Sequence, residues 1–176
     1  MNKSRIVIFS ILFGVTYCSP KEENQIINLV GYELTIPSSM HPTEGLNHRA
    51  ILQFKDPIKM IYTFVTETTK EDLLRTGIKP DFEEAAQTNI GNFNDVFGGG
   101  LPKAKLTSIN GLRASILDHE GETPGPNPMW VSLVNGDFET PAAYYEVSAW
   151  SVKQGNLDTL RSIVYSFREA RANKKE

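Results

Sequence analysis

The stretch Gly31-Tyr32-Glu33-Leu34-Thr35-Ile36-Pro37 opens the folded part of the chain and sets how the rest is read. Tyr32, Leu34 and Ile36 alternate with Glu33 and Thr35, the period-two pattern of a strand with one buried face. Pro37 has no N–H to give to a sheet and stops it. A polar loop over residues 38–47 leads to a second strand at 49–55 (RAILQFK). A third, at 59–66 (KMIYTFVT), is apolar on both faces, which predicts a central strand covered from both sides.

Toward the C-terminus the period changes from two to that of a helix. Thr69 is placed to cap a short helix over 70–76, which Gly77 ends. Asp81 opens a longer helix, with Glu84 three residues on in capping-box spacing. Phe82, Ala85, Ala86, Ile90, Phe93 and Phe97 share one face of it, and Gly98-Gly99-Gly100 with Pro102 terminates it. Strands resume at 105–109, turn at Asn110-Gly111, a two-residue hairpin signal, and return over 112–120. Residues 121–128 (GETPGPNP) read as a loop. Residues 129–134 and 143–151 are expected to pair around a second Asn-Gly turn, Asn135-Gly136. Asn156 is expected to cap a last helix, with Leu157, Leu160, Ile163, Val164 and Phe167 as its apolar stripe. There is no internal repeat and no interior linker.

The N-terminal side has a different character. Lys3 and Arg5 precede an apolar run over residues 6–15, IVIFSILFGV. A bilayer span needs about 20 apolar residues, so this run has the proportions of a cleavable export signal. The alternative, a buried N-terminal helix, leaves Lys3-Ser4-Arg5 without a core role. The run ends in Val15-Thr16-Tyr17-Cys18, which resembles a lipobox with Tyr17 where Gly, Ala or Ser is usual. Lipid on Cys18 would account for the one cysteine of the chain; ordinary export would leave a free thiol in an oxidising compartment. Each buried methylene of an acyl chain contributes about 0.8 kcal/mol, so two or three chains would hold the protein to a bilayer. The expected division is a signal peptide at 1–17, the lipidated cysteine and a polar tether at 18–25, one domain over 26–172, and a frayed tail at 173–176.

The whole chain has 18 basic and 21 acidic side chains. Without Lys3 and Arg5 the balance is 16 against 21, a net charge of −5. Such a chain lacks the clustered Lys and Arg that neutralise phosphates, which argues against nucleic acid. Anionic headgroups repel it too, so the expected membrane contact runs through the lipid alone.

The order strand–strand–strand, helix, antiparallel strands, C-terminal helix resembles the PsbP-like (DcrB/PsbP) superfamily over about residues 26–170. The resemblance rests on residues 31–37 at the front and on Trp150-Ser151 through Phe167 at the end. It implies an α+β fold, an antiparallel sheet flanked by helices on both faces. It implies no activity, because members of that group mostly bind partners or support assemblies.

No catalytic constellation stands out. His41 and Glu44 have a metal-ligand spacing with His48 on the same loop, but a zinc site needs three or four ligands on a rigid frame. Asp118-His119-Glu120 sets an acid beside a base, yet neighbours on a strand point to opposite faces. No G-x-S-x-G elbow is present. Gly98–Gly100 lacks the lysine and Ser/Thr of a phosphate loop and closes a helix instead of opening one. No metal or cofactor is expected.

Trp130, Tyr144 and Tyr145, with Trp150, lie on the final strand pair, where aromatics serve as core. Trp130 adjoins the Gly/Pro-rich loop, and together Trp130, Tyr144 and Tyr145 are candidate partner-binding residues. The function expected is a membrane-anchored envelope lipoprotein that binds or assembles with another envelope protein. The alternatives are a lipid-anchored hydrolase or metal-dependent enzyme using His41, His48 or His119, and a small-ligand binder with a pocket between sheet and helix.

Overall fold

The computed structural model describes residues 23–97, 100–123 and 128–170. Residues 1–22, with the expected signal peptide, Cys18 and most of the tether, lie outside the described residues, as do the tail, Gly98-Gly99 and the middle of the Gly/Pro loop.

The main sheet has seven strands: β3 (His41–Pro42), β4 (Ala50–Asp56), β5 (Ile61–Thr69), β6 (Lys105–Ile109), β7 (Leu112–Glu122), β8 (Trp130–Glu139) and β9 (Ala143–Ser151). They lie in the order β3-β4-β5-β9-β8-β7-β6 and every pair is antiparallel. After β5 the chain crosses one face through α1 (Lys70–Arg75) and α2 (Phe82–Phe97) to reach the far edge. Successive hairpins then bring it back until β9 pairs with β5. As its apolar sequence predicts, β5 is an interior strand: Val65 packs into one core and Phe64 into another on the opposite face.

The opposite face carries α3 (Leu157–Val164) and a small sheet, in which β2 (Tyr32–Pro37) lies between β1 (Asn24–Leu29) and β10 (Arg168–Glu169). Helices therefore cover both faces, as expected, and on one face a second sheet joins the helix. Leu34 and Ile36 of β2 are wholly buried with Leu160, Ile163 and Val164 of α3. Phe167 stacks on Tyr32, with ring centroids 5.5 Å apart, and meets Phe138 at 4.7 Å and Tyr145 at 5.3 Å. β1 begins at Asn24, inside the stretch expected as tether, because Gln25 has work in the fold: its Nε2 donates to the carbonyl of Met40 at 2.8 Å.

Several local signals are realised. Thr69 caps α1 by accepting from Asp72 N at 3.0 Å, and Gly77 follows with φ +81°. Asp81 Oδ1 accepts from the N–H groups of Glu83 and Glu84 at 2.9 and 3.1 Å, opening α2. Asn110 and Gly111 have φ 51° and 84°, both left-handed, as a two-residue type I′ hairpin turn requires. Asn110 Nδ2 also donates to the carbonyls of Tyr165 and Phe167, each at 2.9 Å, fastening the turn to the C-terminal segment.

Three expectations are corrected. Asn135-Gly136 is not a turn but the middle of β8, paired with Ser148 and Val147. The reversal lies beyond it, where Thr140 and Ala143 close on each other. Gly136 is needed for closeness: a Cβ there would lie 2.6 Å from Val164 Cγ1 and 2.7 Å from Phe138 Cε2. Asn156 precedes α3 but makes no side-chain cap bond. Its Nδ2 donates instead to Lys59 O at 3.0 Å and Ser151 Oγ at 2.8 Å, tying the helix entry to the β4–β5 turn. Finally, Gly121 and Glu122 belong to β7, so the Gly/Pro loop starts after them.

Candidate functional site

The side chains singled out in the sequence separate in space. Tyr144 and Tyr145 are adjacent on β9 and point to opposite faces. Tyr145, 4% exposed, belongs to the core under the small sheet, and its hydroxyl donates to Glu67 Oε1 at 2.7 Å. Tyr144, 7% exposed, lies against Phe82 of α2, with Lys70 Nζ 5.1 Å from its ring centre. Neither can serve as an exposed docking aromatic together with Trp130. Trp150 packs on Tyr62 and Phe64.

The histidines do not converge. His41 is on the edge strand β3, His48 is exposed in the following loop, and His119 is on β7, five strands away across the sheet. At about 4.8 Å per strand that separation is roughly 24 Å. Among the described residues no group of three or more His, Cys, Asp or Glu is placed to hold a metal ion. Asp118 turns to the α3 face, where Arg161 Nε donates to it at 2.7 Å, while His119 faces the other way. The histidine-based enzyme reading therefore loses its geometric basis.

Two concave sites remain. The first is an open groove of about 460 Å³ between the start of β8 and the start of α3. Trp130, Leu157, Glu120, Asp158 and Arg161 line it. Arg161 is held by Asp118 and Asp158, so its charge is already matched. The Trp130 indole Nε1 is buried and has no hydrogen-bond partner among the described residues. Beside it Met129 is 57% exposed. Thr123 and Met129 bond to each other across the base of the Gly/Pro loop.

The second is a cleft of about 250 Å³ between α1–α2 and the sheet. α1 is short and the link to α2 makes a left-handed bend at Gly77, so the helices do not close over the strands. Arg113 bridges Glu83 of α2 and Glu139 of β8 at 2.6 and 3.2 Å, and Lys70 reaches Glu139 at 2.9 Å, pinning one end. The walls include Leu73, Ile78, Ala85 and Tyr144.

The floor of this cleft is polar. Register sets Glu146 of β9 beside Thr66 of β5 and opposite Asp137 of β8, and sets Ser148 opposite Asn135. Cross-strand neighbours on one face stand about 5 Å apart, so these side chains form one network. Thr66 Oγ1 donates to Glu146 Oε2 at 3.0 Å, Ser148 Oγ bonds Asn135 Oδ1, and Asn89 Nδ2 of α2 donates to Asp137 Oδ1 at 2.6 Å. Burial pushes the Asp137 carboxyl well above the usual range, opposed by the Asn89 bond and reinforced by Glu146. Burial raises Glu146 as well, against the bonds from Thr66 and Ser148 and the charge of Arg49. Among the described residues neither carboxylate lies in a salt bridge.

This carboxylate pair was missed in the sequence because the Asn-Gly signal put Asp137 in a loop. The detectable signal was alternation: Leu133, Asn135 and Asp137 against Val134, Gly136 and Phe138.

No family model and no curated protein matches the chain. Solved structures do. The solution structure of cyanobacterial PsbP (CyanoP) from Synechocystis superposes with a TM-score of 0.59 at 16% identity, covering 90% of this chain and 99% of that one. A crystal structure from Bacteroides thetaiotaomicron superposes with a TM-score of 0.53 at 11% identity, covering 88% of this chain and 51% of that one. The chain thus spans about half the length of the Bacteroides structure. The fold is PsbP-like, an α+β arrangement of antiparallel sheets and a few helices.

Proposed function

We propose that this chain is a non-catalytic binding module of a bacterial envelope, held to a membrane by lipid on Cys18 and docking a protein partner in the groove at Trp130. One observation carries the docking: Trp130 lines the wall of an open groove beside Met129, a large apolar side chain that is 57% exposed. The indole ring and Met129 supply apolar contact at the groove, and large aromatic side chains of this kind are frequent among binding hot spots.

The anchor rests on the basic residues Lys3 and Arg5, the apolar run at 6–15 and the cysteine that follows. No described helix is long and apolar enough to cross a membrane.

Two experiments test the proposal. Cys18→Ala should move the protein from the detergent phase to the aqueous phase, and an unmodified thiol on native protein would sink the anchor. A photo-crosslinking residue at Met129 should give one discrete protein adduct in intact cells, lost in Trp130→Ala, while a crosslinker at Val30 gives none. Equal adducts from both positions, or an adduct indifferent to Trp130, would sink the docking site.

A further inference from the structure

We propose that the cleft between α2 and the sheet is a binding site for a small organic cation, a protonated amine whose ammonium group seats on Glu146. The site is independent of the Trp130 groove, being on the opposite face of the main sheet.

Electrostatics choose the sign of the ligand. Glu146 lines the floor and Asp137 stands opposite it on β8, 9% and 3% exposed, with no salt bridge to either among the described residues. A buried carboxylate is costly unless a cation or a proton answers it. The cations that line the cleft, Arg49 and Lys79, are exposed at its rim, as are Asp81 and Glu84; the Arg49 charge acts on Glu146 but forms no salt bridge with it among the described residues. The rim carries both signs of charge, and the buried carboxylates have no directly bonded cation among the described residues.

Hydrogen bonding chooses the group. An ammonium has three donors and no acceptor. Around Glu146 the cleft offers acceptors: the carboxylate itself, the hydroxyl oxygens of Thr66 and Thr68, and the amide oxygen of Asn89. That amide is oriented by its own bond, because Nδ2 donates to Asp137 and leaves the oxygen to accept elsewhere.

Shape and lining choose an organic ligand over a metal ion. Leu73, Ile78, Ala85 and the Tyr144 ring give apolar wall, which an alkyl chain would cover. No metal-holding group of His, Cys, Asp or Glu is found among the described residues. A cavity of about 250 Å³ is close to that of about eight waters at ~30 Å³ each, below the usual range for drug-sized ligands. It suits an amine of few heavy atoms.

The test uses the full chain in non-ionic detergent, titrated with n-butylammonium, n-butanol, butyrate and calcium, and read by calorimetry and by backbone amide shifts. Butylammonium should bind and move the amides of Thr66, Asn89 and Glu146, while the other three should not. Glu146→Gln should weaken it roughly tenfold or more. Should that variant fail to fold, Ala85→Leu, which fills the cleft from half-exposed α2 without touching the carboxylates, should block binding equally. Trp130→Ala should leave it unchanged, separating this site from the docking groove. Butanol or butyrate binding as well as the amine, calcium producing the same shifts, no amine binding at all, or full affinity in either cleft variant would each overturn the proposal.

Discussion

Val164 of α3 occupies the space that a side chain at Gly136 of β8 would need: a Cβ on Gly136 would stand 2.6 Å from Val164 Cγ1. The contact seats the helix directly on the middle of the main sheet. Gly136→Ala should therefore destabilise the fold by about 1–3 kcal/mol, the usual penalty for overpacking a core. Val164→Ala should cost less in that background than in the native one. Urea unfolding of the two single variants and the double checks this, and additive effects would show that the site is not crowded.

Asp137 and Glu146 make stability fall with rising pH. Burial raises both carboxyls, so the folded state holds their protons more tightly than the unfolded chain does. This contribution is full below the unfolded carboxylate range near pH ~4 and is lost as the pH rises through the raised folded values. Asp137→Asn keeps an acceptor for Asn89 and removes one titration. Its urea midpoint should decline less steeply from about pH 4 upward and exceed that of native protein at about pH 8. Parallel curves would refute the assignment.

Asn156 separates capping from tethering. Aspartate is as good an N-cap as asparagine, but it has no N–H to give to Lys59 O or Ser151 Oγ. Asn156→Asp should therefore cost about 1–2 kcal/mol, the loss of two half-buried bonds outweighing any gain at the helix end. An unchanged or raised melting temperature would mean that the tether contributes nothing.

Phe167 lies past the last helix yet is wholly buried against three rings. Phe167→Ala should cost about 3–5 kcal/mol, as for a phenylalanine in mid-core. Thermal unfolding measures it; a loss below about 1 kcal/mol would make the C-terminal segment an accessory rather than part of the core.

Most of the architecture was legible because period and punctuation agreed. Residues 32–37 alternate and form a strand, Thr69 and Asp81 sit where helices begin, and Asn110-Gly111 turns. The failures came where tertiary contacts overrode a local signal. Asn135-Gly136 carries the same dipeptide as Asn110-Gly111, but its glycine answers a valine 28 positions along the chain. The same dipeptide signal also hides the cleft floor, since a turn at Asn135-Gly136 would leave Asp137 outside the strand that holds it. Trp130 was singled out for its place beside the Gly/Pro loop. Its place in a groove wall with Leu157 and Arg161, like the opposed directions of Tyr144 and Tyr145, depends on neighbours brought together by the fold.

The Asn110 carboxamide gives the hairpin a chemical lifetime. Asparagine before glycine is prone to hydrolysis of its side-chain amide, and here the dipeptide is on an exposed turn. Loss of ammonia would replace a donor shared by the Tyr165 and Phe167 carbonyls with a negative charge facing the same two oxygens. An aged molecule would thus carry its damage at the clasp between the β6–β7 turn and the chain end, and loosening should begin there.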